Sequence, residues 1–374
     1  MDRIATMQEL GARLAETRKL VGMSQADLAA QVGLDRTAIT KIEAGTRNID
    51  SLELSRIARA LRRPVDWFLS LPPQQVVSRR QALDVSGDRP HDVELELLAR
   101  DVEQLVELRM LKLPKLARPA GNVETVADAE RAASWARSRL GVSEAPLGSL
   151  LTAADELGVV CASLDLNDDK VDGSYVALET GGVALINGGM PSGRRRFTLA
   201  HEIGHHVLAD AYSAEWVVPK DEGGRERLVN AFAIHFLMPR DWTCRRWNEL
   251  DGKGDPRRAA IFLGAEGGVS WSALCAQLRN LRLVSGEAHE DLLRWKPTGA
   301  DYLEFELSVR DDLRPPVLSP HLSSAVVKAY RTNKLGRDRA LELLRGTLTP
   351  DQLPEPASVP LDAMRDELAP LPAE

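Results

Sequence analysis

The sequence predicts a multidomain, mainly α-helical protein with one small β-sheet. Its 374 residues exceed what a single hydrophobic core usually holds, so two or three domains are expected. Residues 7–70 contain five short helical patterns separated by capping and breaking residues, whereas residues 123–300 combine helical patterns with strand-like runs. With 44% apolar and 28% charged residues, the composition is that of a globular protein.

Charge is distributed unevenly along the chain. The first 80 residues carry 13 Lys+Arg against 9 Asp+Glu, although the whole chain has 48 against 55. A basic segment ahead of an acidic body is expected when one end of a chain meets a polyanion, but basic surface helices also serve solubility. The charge therefore permits nucleic-acid binding without establishing it.

Cysteine usage and the N-terminus favour a cytoplasmic location. Cys161, Cys244 and Cys275 are odd in number and lack a metal-binding spacing, so they are expected to be core thiols in a reducing compartment. The polar N-terminus has no signal-peptide pattern, and no run of about 18 apolar residues occurs. No membrane partner is therefore expected.

Residues 7–71 are predicted to form a five-helix domain. Ser24 and Asp35 are suited to cap the second and third helices, and Gly33 and Gly45 are suited to end them. Consecutive helices joined by such a short turn are typical of helix-turn-helix domains, in which the second helix of the pair lies in the major groove.

The third helix, residues 36–43, is the predicted DNA-reading element. Ala38, Ile39 and Ile42 can face the domain core, which leaves the polar positions free to reach base edges and phosphates. The side chains predicted to contact double-stranded DNA, on this helix and beside it, are Gln25, Arg36, Thr37, Thr40, Lys41 and Arg47.

Residues 23–45 read M-S-Q-A-D-L-A-A-Q-V-G-L-D-R-T-A-I-T-K-I-E-A-G, and this stretch resembles the Xre/Cro/phage-repressor helix-turn-helix family. The shared pattern is S-Q-x-x-L-A followed by I-x-x-x-E-x-G, and the helices at 52–61 and 65–69 also match. The resemblance covers about 65 residues and implies DNA binding. It leaves open a dimerisation or partner-binding role.

Two segments outside the main domains are predicted to connect or extend them. Residues 72–122 should contain a mobile polar linker, 76–91, and a helix from Asp92 to Leu113 that either joins two copies into a homodimer or packs on its own domain. Residues 301–374 should form a helical C-terminal extension that ends in a disordered tail.

The strongest chemical signal is His201-Glu202-Ile203-Gly204-His205. Histidines four residues apart share one helical face, so both imidazoles can reach one Zn²⁺ ion. Glu202 lies about 100° round the helix and can act as the general base toward water beside the metal. The alternative is an exposed helix with scattered histidines, which the apolar flanking residues disfavour.

A catalytic zinc site needs a third protein ligand, and Glu226 is the predicted one. It begins a second helix that can pack beside the first, and Asn230 lies one turn later, suited to orient a ligand. The competing candidates are Glu222, His206 and His235. His206 follows His205 directly and points away, and His235 falls on the opposite face of its helix from Glu226.

Residues 194–209, R-R-R-F-T-L-A-H-E-I-G-H-H-V-L-A, and 226–239, E-R-L-V-N-A-F-A-I-H-F-L-M-P, resemble the ImmA/IrrE family of metallopeptidases. The segment D-G-S-Y…V-A-L-I-N at 172–187 also matches, and the resemblance spans about 125–290. It implies a zincin-like α+β domain, within 123–300, that binds one zinc per chain. The roles it implies are metal ligation by His201, His205 and Glu226 and general-base catalysis by Glu202.

The substrate-binding features predicted for this domain are less specific. In metallopeptidases of this build an edge strand holds the extended substrate backbone, and strand Val183–Asn187 is the expected one. The candidates for stabilising the oxyanion are Tyr175, Tyr212 and His206.

The two resemblances together imply a zinc-dependent endopeptidase coupled to DNA binding. The implied substrate is a partner protein, a helix-turn-helix repressor, whose cleavage controls transcription in a stress or mobile-element response. One alternative is a transcriptional regulator of the Xre family whose zinc domain is sensory or structural. Another is an antitoxin-like regulator that binds a protein partner.

Overall fold

The computed structural model describes residues 4–61, 63, 65–69, 76–79, 90–115, 122–166, 171–208, 222–251 and 254–357. Residues 358–374, which belong to the tail predicted to be disordered, lie outside the described residues. The described part is mainly helical and contains one five-stranded sheet, which confirms the predicted fold class.

The N-terminal domain consists of five helices, as the sequence predicts. Thr6, Ser24, Asp35 and Asp50 each accept a hydrogen bond from a backbone amide in the first turn of the following helix, which satisfies donors that the helix itself leaves open. The helices are α1 Met7–Leu20, α2 Gln25–Val32, α3 Arg36–Glu43, α4 Ser51–Ala60 and α5 Val65–Leu69.

Buried apolar residues from all five helices form the core of this domain. Trp67 on α5 is fully buried, and its indole nitrogen donates to the Thr17 hydroxyl at 2.9 Å. Gly11 lets α1 approach α3 closely, because a Cβ at this position would lie 2.6 Å from the Glu43 carbonyl oxygen and closer still to that of Ile42.

The segment after this domain contains a strand and a long helix, β1 Val76–Arg79 and α6 Pro90–Glu107. The strand falls in the segment predicted to be a mobile linker, and that prediction is wrong for residues 76–79. They pair with a strand of the central sheet, a non-local contact that a short polar sequence does not signal.

The remaining chain supplies the rest of the sheet and its helices. The elements are α7 Val126–Arg139, α8 Leu150–Glu156, β2 Val159–Leu164, β3 Gly173–Ala177, β4 Gly182–Asn187, α9 Ser192–Leu208, α10 Glu222–Leu237, α11 Arg240–Glu249, α12 Pro256–Gly267, α13 Trp271–Asn280, α14 Gly286–Arg294, α15 Gly299–Glu304, β5 Val317–Leu318, α16 Pro320–Arg331 and α17 Arg337–Leu343.

The sheet has the order β1-β3-β4-β2-β5. Strands β2 and β4 are parallel, and the other neighbouring pairs are antiparallel. The hairpin predicted between β3 and β4 is present, but its turn spans Leu178 to Gly181, and Gly182 is already the first residue of β4, paired with Ala177. Strand β4, the predicted substrate-binding edge, lies inside the sheet between β3 and β2 and has no free edge, so that prediction is wrong.

The sheet separates two hydrophobic cores. On β2, Val159 and Cys161 face the core shared with α7–α13, whereas Val160 and Ala162 face the core shared with α6, α16 and α17. Successive side chains of a strand point to opposite faces, so a strand buried on both sides is apolar throughout. Residues of the predicted linker and C-terminal extension therefore share a core with the predicted peptidase domain.

Helix α6 connects this second core to the N-terminal domain. Leu95, Leu98 and Val102 pack in the core beside the sheet, whereas Val93 packs in the core of the N-terminal domain. Arg13 donates to the Trp67 carbonyl oxygen at 3.1 Å and also pairs with Glu96 of α6. Within the described residues, the helix thus packs on its own chain, which is one of the two interpretations its sequence leaves open.

No single helix among the described residues is long and apolar enough to cross a membrane. Helices α12 and α13 reach the necessary length and apolar composition only when taken together, and they meet at a bend of 110°.

We expect Gly11→Ala to destabilise the N-terminal domain. Alanine normally favours a helix over glycine by about 1 kcal/mol, but here the added methyl group meets the backbone of α3, and overpacking of this kind costs about 1–3 kcal/mol. Hydrogen exchange of the α1 and α3 amides should accelerate accordingly. Gly148→Ala is the control, because no atom lies within 4 Å of its Cβ position. Unchanged exchange in Gly11→Ala would contradict the close approach.

Candidate metal centre and nucleic-acid interface

Helix α9 presents the two histidines of the H-E-x-x-H segment on one face. His201 and His205 are both buried, and their Nε2 atoms lie 3.1 Å apart. The spacing of four residues brings the rings together along the helix. The two imidazoles are therefore placed to act on the same atom.

Helix α10 brings a carboxylate to this pair. The Glu226 oxygens lie 3.3 Å from Nε2 of His201 and 3.4 Å from Nε2 of His205. Ligands about 2.05 Å from a tetrahedral zinc ion are separated by about 3.3 Å, which is close to the 3.1 Å between the two histidine nitrogens, and one carboxylate oxygen faces each nitrogen at a similar distance. Among the described residues this trio is the group of His, Cys, Asp or Glu side chains suited to hold a metal. The donor set fits zinc.

Asn230 orients one of these imidazoles. His201 donates from Nδ1 to the Asn230 side-chain oxygen at 3.2 Å, which leaves its Nε2 facing Glu226. A hydrogen bond on the far ring nitrogen fixes the tautomer and the ring plane of a metal-binding histidine. The predicted orienting role of Asn230 is thus consistent with its position.

A glycine inside the motif allows the two helices to approach. A Cβ at Gly204 would lie 3.0 Å from side-chain carbons of both Val229 and Phe232 on α10. Gly204 lies on the same face of α9 as His201 and His205, so a larger residue there would move α10, and Glu226 with it, away from the histidines. Sequence reasoning did not identify this glycine. The signal available was a glycine in a helix interior, where it is unfavourable unless close packing requires it.

Glu202 lies on the face of α9 that contacts β3. Thr198 and His206, four residues before and after it, both touch this strand: a Cβ at Gly173 would lie 2.5 Å from Cγ2 of Thr198, and the Tyr175 hydroxyl is 2.6 Å from Nδ1 of His206. The Glu202 side chain is 0% exposed. Glu202 is therefore beside the histidine pair but shielded from solvent.

The histidines also determine the charge state of Glu226. Hydrogen bonding to His201, and then to His205, holds the pKa of the Glu226 carboxyl well below its usual range. The side chain is 48% exposed, whereas the histidines are buried. A carboxylate that stays ionised at this position offers a cation a negatively charged ligand.

The competing ligand candidates have other contacts. His235 lies near Gln277 and Glu130, and burial lowers its pKa. His206 contacts Tyr175 on β3, so its ring is engaged by the sheet rather than turned toward Glu226. Glu222 lies at the start of α10 with its side chain outside the described part, and Tyr212 falls outside the described residues.

The three cysteines form no disulfide in the described structure. Cys161 and Cys275 are buried, and burial raises the pKa of Cys161 well above its usual value and that of Cys275 to about 11. Such thiols remain protonated and unreactive at neutral pH.

Helix α3 presents a polar outer surface beside α2. Ile39 and Ile42 are buried, whereas Arg36, Thr37, Thr40 and Lys41 are exposed. This division follows the sequence-based interpretation, although Ala38 is only half-buried. The four exposed side chains are available to a partner in solution.

The remaining two predicted DNA contacts are partly engaged within the domain. Gln25 donates to Glu43 at 2.8 Å and accepts from the Thr40 hydroxyl at 3.1 Å. Arg47 donates to Glu53 at 2.7 Å. These contacts orient Gln25 over α3 and hold Arg47 beside the start of α4.

Two protein-family models match separate parts of this chain and identify its domains. Residues 14–68 match the helix-turn-helix family, and residues 154–279 match the metallopeptidase-like family described as the IrrE N-terminal-like domain. The chain joins a helix-turn-helix domain to an IrrE N-terminal-like domain. Both resemblances inferred from sequence motifs are confirmed, and this is the architecture of a DNA-binding regulator with a protease-like domain.

Solved structures show more limited similarity. The restriction-modification controller protein C.AhdI from Aeromonas hydrophila is 34% identical over 17% of this chain and 94% of its own, with a TM-score of 0.16. A Mycobacterium tuberculosis transcriptional regulator is 20% identical over 48% of this chain and about half of its own length, 51%, with a TM-score of 0.33. Bacillus thuringiensis PlcR, solved with the peptide PapR7 and DNA, is 11% identical over 90% and 91% of the two chains, with a TM-score of 0.17. The comparison with curated proteins finds no match.

We expect Asn230→Ala to weaken zinc binding without abolishing it. Loss of the hydrogen bond to His201 leaves all three ligands in place but frees one ring to rotate, and removal of such a partner typically costs 10–100-fold in affinity. Competition titration with a chromophoric zinc chelator measures the change. Asn280→Ala, at the exposed end of α13, is the matched control. Equal affinities of the two variants would mean that Asn230 does not position His201.

Proposed function

We propose that this chain is a zinc-dependent endopeptidase coupled to DNA binding. The observation that supports it most directly is the convergence of His201, His205 and Glu226, with separations of 3.1–3.4 Å, next to the buried Glu202. A purely structural metal site would need the ligands but not the adjacent carboxylate. One zinc ion per chain is the expected cofactor.

Each residue of the centre has a defined part in peptide hydrolysis. His201, His205 and Glu226 would hold the zinc ion, and Asn230 would keep the His201 ring in its binding orientation. A bound zinc ion supplies Lewis acidity, which makes water more acidic and polarises a carbonyl group. Three protein ligands leave a coordination position for reactants, as catalytic rather than structural zinc sites do.

Glu202 would act first as the general base and then as the general acid. Its carboxylate accepts a proton from water as the water oxygen attacks the scissile carbonyl carbon, and it passes that proton to the amide nitrogen as the C–N bond breaks. Its place on α9, one residue from His201, would put it beside a bound zinc ion rather than among the ligands.

The N-terminal domain would bind DNA and so place the peptidase domain near proteins bound to the same DNA. Its third helix would enter the major groove, where Arg36, Thr37, Thr40 and Lys41 can reach bases and phosphates, with Gln25 and Arg47 contacting the flanking backbone. A repressor bound on the same DNA is then held at high effective concentration. We propose that the substrate is such a helix-turn-helix repressor, cleaved in the cytoplasm during a stress or mobile-element response.

Metal analysis with two variants tests the catalytic assignment. Wild type and Glu202→Gln should each bind about one zinc ion per chain, since Glu202 is not a ligand, and His201→Ala should bind little. Mass spectrometry of protein N-termini from cells should then reveal new termini within a repressor that depend on wild-type Glu202. Zinc binding with identical N-termini in wild type and Glu202→Gln would instead favour the sensory or structural regulator. Absence of zinc from metal-replete wild type would eliminate the centre.

The DNA-binding assignment predicts a change in salt dependence. Arg36→Ala should weaken binding to a labelled 30-base-pair duplex and reduce the slope of log K against log salt by about one, because one phosphate contact and its released counterion are lost. Fluorescence anisotropy over a range of salt concentrations measures both. Arg294→Ala, which removes an exposed arginine of the other domain, should leave the slope unchanged. An unchanged slope in Arg36→Ala would contradict its contact with DNA.

A further inference from the structure

The outer edge of β3 is occupied by a segment from elsewhere in the chain. Strand β1 pairs with it antiparallel, with Val76 opposite Val176, Ser78 opposite Tyr175 and Arg79 opposite Ser174, and a bulge between the first two pairs. The other neighbour of β3 is β4, and β5 lies at the opposite end of the sheet. Without β1, the β3 edge would be the exposed edge of the sheet next to the candidate metal centre.

This edge lies beside the catalytic helix. The Thr198 and His206 contacts place β3 along the face of α9 that carries Glu202, and β1 also packs against α9. An extended peptide that adds to an exposed strand gains main-chain hydrogen bonds along its length. A substrate held beside Glu202 in this way would add to β3 antiparallel, in the position that β1 now fills.

The burial of the centre is consistent with an occupied cleft. His201 and Glu202 are 0% exposed and His205 is 5% exposed, so the general base is covered by the surrounding protein. Glu226 alone among the proposed active residues is exposed. A protease in this state requires a rearrangement before a peptide can reach Glu202.

We infer that β1 is an internal occupant of the substrate-binding edge and that it holds the peptidase latent until it detaches from β3. This inference rests on the proposed peptidase function. The competing occupant is an extended segment of the substrate protein, which replaces the main-chain hydrogen bonds of β1 with its own. Four residues joined at one edge form a pairing weak enough to be displaced.

Paired double variants test the latch in the full-length protein. Successive backbone amides of a strand point to opposite sides, so either the Val77 or the Ser78 N–H group faces β3. Replacing both residues by proline, Val77→Pro with Ser78→Pro, therefore removes the N–H group that can donate to β3. Val77→Ala with Ser78→Ala is the matched control, which keeps both amides. The β1-facing amides of β3 should exchange hydrogen about tenfold faster in the proline variant, and zinc content should be equal in both.

A synthetic peptide of residues 74–81 provides a second readout. It should bind the proline variant and restore slow exchange in β3, and it should not bind the alanine variant. The same peptide with proline at positions 77 and 78 is the negative control. Labelled unfolded casein should be cleaved at least about tenfold faster by the proline variant, and the peptide should inhibit this cleavage.

The outcomes separate the latch from the peptidase activity. Equal exchange in both variants together with no peptide binding overturns the inference. Accelerated exchange and peptide binding with casein intact in both zinc-loaded variants supports a displaceable β1 but counts against its control of access to the centre, whereas the repressor N-termini that depend on Glu202 decide the peptidase function separately. If the proline variant fails to fold, hydrogen exchange of the wild-type protein provides the test. The amides of β1 and the facing amides of β3 should then exchange together and before the amides of β4. Slower exchange of the β1 and β3 amides than of the β4 amides would overturn the inference.

Discussion

The packing of α10 across the middle of α9 is the contact on which the candidate metal centre depends. Two of the three proposed ligands come from one helix, but the third, Glu226, reaches them only because Gly204 leaves room for Val229 and Phe232. The same approach brings Asn230 within 3.2 Å of His201. The ligand set is therefore a property of the interface between two helices, and the core that holds them together is what keeps three polar side chains converged without a metal-binding loop.

That interface is in turn supported by the sheet. Helix α9 packs on β3 and β4 through residues of the first core, and the opposite face of the same strands packs on α6, α16 and α17. Because α6 also contributes Val93 to the core of the N-terminal domain, the DNA-binding and protease-like halves are joined by packed side chains as well as by the chain itself. Their relative position is therefore restrained by side-chain packing, beyond what a flexible linker would provide.

Local signals account for the parts of the structure that the sequence could predict. Ser24 and Asp35 begin helices, and His201 and His205 share a face, because these relations involve residues four or fewer apart. The pairing of Glu226 with the histidines required the family resemblance, since helix packing determines it. Strand β1 and the interior place of β4 depend on pairing between distant segments, which residues 76–79 do not encode locally. Helix α11 is not evident from the sequence, because Pro239 signals the end of α10 and also stands at the N-cap position of the next helix, where it makes no side-chain capping hydrogen bond.

The position of β1 connects the N-terminal domain to the proposed substrate-binding edge of the sheet. The strand lies between α5, part of the N-terminal core, and α6, whose first turn contacts both halves: Val93 packs in that core, and His91 contacts the Ser174 hydroxyl on β3. Ser174 is itself the partner of Arg79 in the β1–β3 ladder. Any displacement of the N-terminal domain relative to α6 would consequently act on the strand that fills the proposed substrate edge.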